Sequence, residues 1–216
     1  MIILGIETSG LLCSVTWYKD NQIMLEYNIE KPQIHTNLLA DFVAKGMKEL
    51  EISAGNIGLA AISTGPGSYT GLRIGMSYCK GFCYGQSIPI IGVSNFRIMT
   101  EQAPVDKNHI YTLINANRGK FYYAYYSKQN KKKFEQGIVS EPEIDKFDLS
   151  NSGAIFDYYS EIDPEKEIWK RFQWLHKVRF NASILCKAAE KKYIEKGADK
   201  IEEIEPLYLQ AFAGTL

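Results

Sequence analysis

The chain has 216 residues, 45% of them hydrophobic, and its 25 Lys plus Arg are balanced by 25 Asp plus Glu. That length buries roughly 70% of the unfolded surface without a metal or disulfide staple, and the zero formal charge excludes a global field pulling the protein onto nucleic acid or an acidic membrane. Cys13, Cys79, Cys83 and Cys186 form no C-x-x-C pair and read as free buried thiols, no apolar run approaches the ~20 residues of a membrane span, and with no leader expected the location is expected to be the cytoplasm.

Ile2 to Ile6 is a nearly continuous apolar run, as for a central strand covered on both faces. After the polar turn Glu7-Thr8-Ser9-Gly10, Leu12 to Trp17 and Gln22 to Ile29 read as strands joined at Asp20-Asn21, which tolerates the positive φ of a hairpin turn. Ile34 to Leu50 carries a broad helical stripe that includes Leu38, Leu39 and Phe42, with Thr36 or Asn37 as cap. Leu59 to Ser63 is a further strand, and it leads into Thr64 to Gly85, the stretch around which the chain is organised. There Gly65-Pro66-Gly67 is turn chemistry, with Gly67 free to take the positive φ of a type II turn.

Ser68 or Thr70 can then cap a helix over Leu72 to Tyr84. Its stripe is Leu72, Met76, Cys79 and Cys83; Ile74, Tyr78 and Phe82 point elsewhere, and Arg73 and Lys80 are its only charges. A helix so apolar all round must be covered on more than one face. Gly71 and Gly75, then Gly81 and Gly85, leave shallow tracks for a second helix, which would repay the ~1 kcal/mol each glycine costs against alanine.

Ile88 to Val93 closes a βββαβαβ half-chain, so residues 1–102 are expected to form an N-terminal lobe and 103–216 a second one. In the latter, Ile110 to Ile114, Phe121 to Tyr126 and Phe134 to Ser140 read as strands, the first pair joined by the turn Asn115 to Gly119. Lys128 to Lys133 reads as a solvated hairpin tip. Ile144 to Ser160 gives no clear reading, Ala182 to Glu195 is a helix stopped by Gly197, and no fixed-period repeat is present.

Two places could hold phosphate: the backbone N–H groups of the Ser68 to Gly71 turn, and the Thr8 and Ser9 hydroxyls. Together with Glu7, Gly65 and Gly67 they form a nucleotide candidate, although Gly65-x-Gly67-x-x-x-Gly71 is neither a dinucleotide fingerprint nor a P-loop. His35, His109 and His176 lie far apart in sequence and suggest no metal site. The segment Glu167 to Phe180 mixes Lys170, Arg171, Lys177 and Arg179 with Trp169, Phe172 and Trp174; it suits RNA contact or an amphipathic surface.

ILGIETSG with Cys13-Ser14-Val15, HTNLL from His35 to Leu39, TGPGSYTGLRIG, INANRGKFYYAYY from Ile114 to Tyr126 and PLYLQ from Pro206 to Gln210 together resemble the TsaB family of bacterial proteins. Asn115 and Gln210 depart from that family's usual Asp and Arg. The resemblance implies an α/β fold of the actin-like ATPase and sugar-kinase (ASKHA) type, with two lobes of mixed sheets flanked by helices and a reduced second lobe. It also implies a non-catalytic subunit in the making of threonylcarbamoyladenosine on tRNA. The catalytic paralogue, TsaD, carries a metal-binding HxxxH that would fall here on Asn95 and Met99, neither of them an imidazole.

No catalytic residue, metal or cofactor of its own is therefore expected, ATP or ADP entering only within the complex. The expected partners are a TsaD-like chain, a TsaE-like ATPase, a second copy when alone, and tRNA indirectly. The seam with the TsaD-like chain is expected at Leu38, Leu39, Phe42, Leu72, Arg73, Gly75, Met76, Cys79, Lys80, Gly81, Cys83 and Tyr84. The rival readings are a small-molecule kinase or ATPase using Glu7, Thr8, Ser9 and the glycine turn, and a metallopeptidase-like enzyme.

Overall fold

The computed structural model describes residues 1–30, 35–104, 109–127, 134–147, 149 and 151–209. Its described residues divide into two compact units, Met1–Ile98 with Phe180–Leu207, and Met99–Arg179 with Tyr208 and Leu209.

The first unit is built on strands β1 (Ile2–Glu7), β2 (Leu12–Lys19), β3 (Gln22–Glu30), β4 (Ile57–Gly65) and β5 (Ile90–Ser94), in the order β3-β2-β1-β4-β5. The first three form an antiparallel meander, turned at Asp20 and Asn21 with φ of 51° and 63°, while β4 and β5 join in parallel. Alternation along β1 sorts the two faces. Leu4 and Ile6 enter a core with Leu39 and Val43 of α1 (His35–Glu49) and Met76, Cys79 and Cys83 of α2 (Tyr69–Gln86). Each such side chain contributes roughly 1.5–3 kcal/mol on burial. Gly5 faces the other way, against Ala182 and Cys186 of α5 (Ala182–Lys196).

That last packing changes the expected division of the chain. Residues 103–216 read as one second lobe, yet 180–207 lies in the first unit. The cause is side-chain size: Ala182, Cys186 and Ala189 are small enough for α5 to lie close on the sheet, where Ser14 Oγ accepts the Ala182 N–H at 2.9 Å. Gly197, with φ of 76°, ends this helix as expected. Beyond it, Asp199 accepts the Gly92 N–H at 2.9 Å while Lys192 donates to the Gly92 carbonyl at 2.9 Å, so two side chains cap the free edge of β5. All four cysteines are free and buried.

The second unit repeats the plan. Strands β6 (His109–Asn115), β7 (Lys120–Ser127), β8 (Phe134–Ser140), β9 (Ser152–Asp157) and β10 (Leu175–Val178) lie in the order β10-β9-β6-β7-β8, again with an antiparallel meander and two parallel additions. The crossovers are cut down. A 3-10 turn at Glu141–Lys146 stands between β8 and β9, and the four-residue helix α4 (Glu167–Lys170) between β9 and β10. This is the reduced second lobe. Its core gathers Tyr111, Leu113, Phe121, Phe156, Trp169 and Phe172, with Phe156 and Trp169 edge to face at 5.2 Å. The unread region Ile144 to Ser160 contains β9, and the hairpin tip Lys128 to Lys133 lies outside the described residues.

Candidate functional site

Helix α2 leaves the end of β4 through Gly65-Pro66-Gly67. The positive φ falls on Gly65, at 88°, ahead of a cis Gly65–Pro66 bond, and not on Gly67 as a type II turn requires. Ser68 caps the helix, its Oγ accepting the Gly71 N–H at 3.2 Å. The Ser68 N–H donates to the Ser9 carbonyl at 2.7 Å, and Thr8 Oγ1 donates to the Gly71 carbonyl at 2.7 Å. The groups singled out for phosphate, Thr8, Ser9 and the Ser68 to Gly71 turn, thus hold one another.

Beneath the turn lies a buried polar cluster. Glu7 Oε1 accepts the Ser9 N–H at 2.6 Å and the Ser9 hydroxyl at 2.5 Å. Asn95, at the start of α3 (Asn95–Thr100), donates through Nδ2 to Ser9 Oγ at 2.7 Å and to the Pro66 carbonyl at 2.8 Å. Glu7 Oε2, Ser63 Oγ and Asn95 Oδ1 are buried without a protein partner. Burial pushes the Glu7 carboxyl up, against the lowering pull of its Ser9 contacts. A carboxylic acid there can donate from Oε2, which an ionised one cannot. Sequence reasoning missed this role for Asn95; the sole signal was a polar residue directly after an apolar strand.

The sign of the pH effect follows from that raised value. Stability owed to neutral Glu7 is complete below the unfolded carboxyl range and is lost as pH rises through the folded value. Denaturant midpoints measured from pH 5 to pH 9 should therefore fall toward the alkaline end in the wild type and fall less in Glu7→Gln. Parallel profiles for the two proteins would show that Glu7 is not the titrating group.

The expected seam residues divide by burial. Leu39, Leu72, Gly75, Met76, Cys79 and Cys83 are buried in the first unit's own core. A Cβ on Gly71 would lie 2.0 Å from the Thr8 carbonyl oxygen and one on Gly75 2.3 Å from Thr8 Oγ1, so this first glycine track serves the β1–β2 turn of the same chain. The second track is open, with nothing within 4 Å of a Cβ at Gly81 or Gly85. Tyr84 beside them is 81% exposed, Arg73 is exposed over the Tyr69 ring at 3.8 Å, and Lys80, Leu38 and Phe42 are half-buried. On the helical repeat Ser77, Gly81, Tyr84 and Gly85 share one outward face.

Asn95 and Met99 are both buried, and among the described residues no group of three His, Cys, Asp or Glu side chains is arranged to hold a metal. No helix among them is long and apolar enough to cross a membrane. In the segment Glu167 to Phe180 the aromatic residues turn inward: Trp169 and Phe172 are core, and Trp174 lies flat against Gly153. Lys170 pairs with Glu165 and Glu167, and Arg171 with Asp145.

The model of the family described as "TsaD: tRNA N6-adenosine threonylcarbamoyltransferase" matches residues 30–204. The chain belongs to the TsaD family. Within it, the chain is similar to the tRNA threonylcarbamoyladenosine biosynthesis protein TsaB of Escherichia coli strain K12, at 30% identity over 67% of this chain and 64% of that protein. It therefore spans a little under two thirds of that relative's length. YeaZ from Pseudomonas aeruginosa superposes with a TM-score of 0.78 at 20% identity, covering 96% of this chain and 99% of the other. A ROK hexokinase from Thermus thermophilus gives 0.50 at 9% identity, over 90% and 99%. These two show the fold alone, the actin-like and sugar-kinase fold expected of the TsaD family.

Proposed function

We propose that this chain acts in the biosynthesis of threonylcarbamoyladenosine in tRNA as a non-catalytic scaffold subunit that binds a TsaD-like catalytic chain through the outer face of α2. The observation that carries the reading is the open second half of that helix, where exposed Tyr84 stands beside the uncovered Gly81 and Gly85. Knob and notch on one helix face are what close helix packing uses, and a seam of this kind buries on the order of 1,600 Å² in total. Two features support the absence of chemistry: Asn95 and Met99 occupy the positions of the paralogue's imidazoles, and the N–H groups of Ser68 and Gly71 and the Thr8 hydroxyl are engaged within the chain. The scaffold acts by binding the competent state of its partner better than the other state. ATP or ADP would belong to the complex, a TsaE-like ATPase would dock at the junction, and the same face would pair two copies when the partner is absent.

Co-purification from native lysate with the bound proteins identified tests this. A TsaD-like chain in stoichiometric amount is the expected result; its absence, or steady ATP turnover by the lone chain, counts against the reading.

A further inference from the structure

The basic segment singled out in the sequence loses Trp169 and Phe172 to the core, yet its last basic residue, Arg179, takes part in a different arrangement. Val178 and Asp157 are paired at the carboxyl ends of the parallel strands β10 and β9, and one residue further on the Arg179 guanidinium stacks over the Tyr158 ring at 4.0 Å. Tyr158 is 46% exposed and is fixed by its N–H donating to the Val178 carbonyl at 2.7 Å. Arg179 is exposed, and its carbonyl accepts from Gln102 Nε2 at 3.2 Å.

The adjoining strand β6 ends at the same edge, because the Asn115 N–H donates to Asp157 Oδ2 at 2.9 Å. It delivers the turn in which Asn117, Arg118 and Gly119 all have positive φ, of 63°, 52° and 69°, with Arg118 exposed at the tip. Three neighbouring strand ends thus present an exposed aromatic ring, a guanidinium over it and a second guanidinium.

We propose that this end of the second sheet is a contact site for single-stranded RNA, in which a base stacks on the Arg179–Tyr158 pair and a neighbouring phosphate is held by Arg118. A guanidinium plane and an aromatic ring both take a base face to face without regard to its identity, and an arginine beside them supplies the backbone contact. The exposed acids Glu161, Asp163 and Glu165 follow within eight residues of Tyr158, so the strand runs toward Arg118 and away from them. A protein partner would gain less from this edge, which offers charge and stacking. The inference adds a direct RNA contact to the scaffold reading and depends on it only in naming tRNA as the RNA. Since it is tested on the isolated chain, its failure and that of the seam are separable.

Fluorescence anisotropy of labelled ten-nucleotide U and A oligomers, of an unmodified tRNA transcript and of labelled ATP, at 50 and 200 mM salt, is the test. Tyr158→Ala and Arg179→Ala are each expected to weaken oligomer and tRNA binding about tenfold, with Tyr158→Phe near wild type. Arg118→Ala should lower the salt slope by about 0.7, while Lys48→Ala on α1 leaves binding unchanged. No RNA binding by the wild type, equal losses in Lys48→Ala, or binding confined to ATP would each overturn the proposal.

Discussion

Gly81→Glu is expected to abolish capture of the TsaD-like chain while leaving the fold of this chain intact. A side chain at Gly81 enters open space, with nothing within 4 Å of its Cβ, so the isolated chain has no contact to lose. Across a packed seam the same carboxylate would be buried without a partner and would hold the helices apart, which should weaken Kd a hundredfold or more. Tyr84→Ala makes the complementary test by removing the knob. Truncating an aromatic anchor costs about 2 kcal/mol or more, about thirtyfold in Kd, and Tyr84 at 81% exposure has little to contribute to the isolated chain. Capture at wild-type strength by both variants, with unchanged circular dichroism, would show that the partner binds elsewhere.

The second large effect lies one track away on the same helix and falls on stability instead of on binding. Gly71→Ala places a Cβ 2.0 Å from a backbone carbonyl oxygen that cannot move without unseating the β1–β2 turn. Gly75→Ala meets Thr8 Oγ1 at 2.3 Å and Ile62 Cδ1 at 3.2 Å, and Thr8 is itself tied to the Gly71 carbonyl. Overpacking of this kind costs about 1–3 kcal/mol after the helix regains its alanine propensity, and the carbonyl clash puts Gly71 at the upper end. Thermal midpoints should drop by about 6–12 °C for Gly71→Ala. Gly81→Ala and Gly85→Ala should instead gain about 0.5–1 kcal/mol each, since propensity is the only term that changes. A uniform response across the four glycines would contradict the division of α2 into an inward and an outward track.

That division marks where the sequence stopped being informative. The period of Leu72, Met76, Cys79 and Cys83 places them on one face, but it cannot say whether the face meets the chain's own sheet or another molecule. Six expected seam residues proved internal for this reason. Exposure of Tyr84 and openness at Gly81 were equally hidden, because they depend on what α1 and β4 leave uncovered. Elements whose chemistry is local were legible: the Asp20-Asn21 turn, the Ser68 cap and the Gly197 stop all follow from residues adjacent in sequence.

Strand β9 failed to register because Ser152-Gly153-Ala154 lacks β-branched residues and is buried on both faces, which removes the alternation that marks a strand. The segment Glu167 to Phe180 came out as the amphipathic surface, one of its two expected readings. Charge spacing there signals surface, whereas the space left by the shortened crossovers draws Trp169 and Phe172 inward. The Glu7–Ser9–Asn95 cluster joins residues 86 apart in sequence, so no motif could announce it.

The most direct test of the central claim is photo-cross-linking in the assembled complex. A benzophenone amino acid replaces Tyr84 in one preparation and Ile194, 78% exposed on α5, in another. The account predicts a covalent adduct with the TsaD-like chain from position 84 and none from position 194. An adduct from 194 alone, or none from 84 in a complex that still co-purifies, would contradict it.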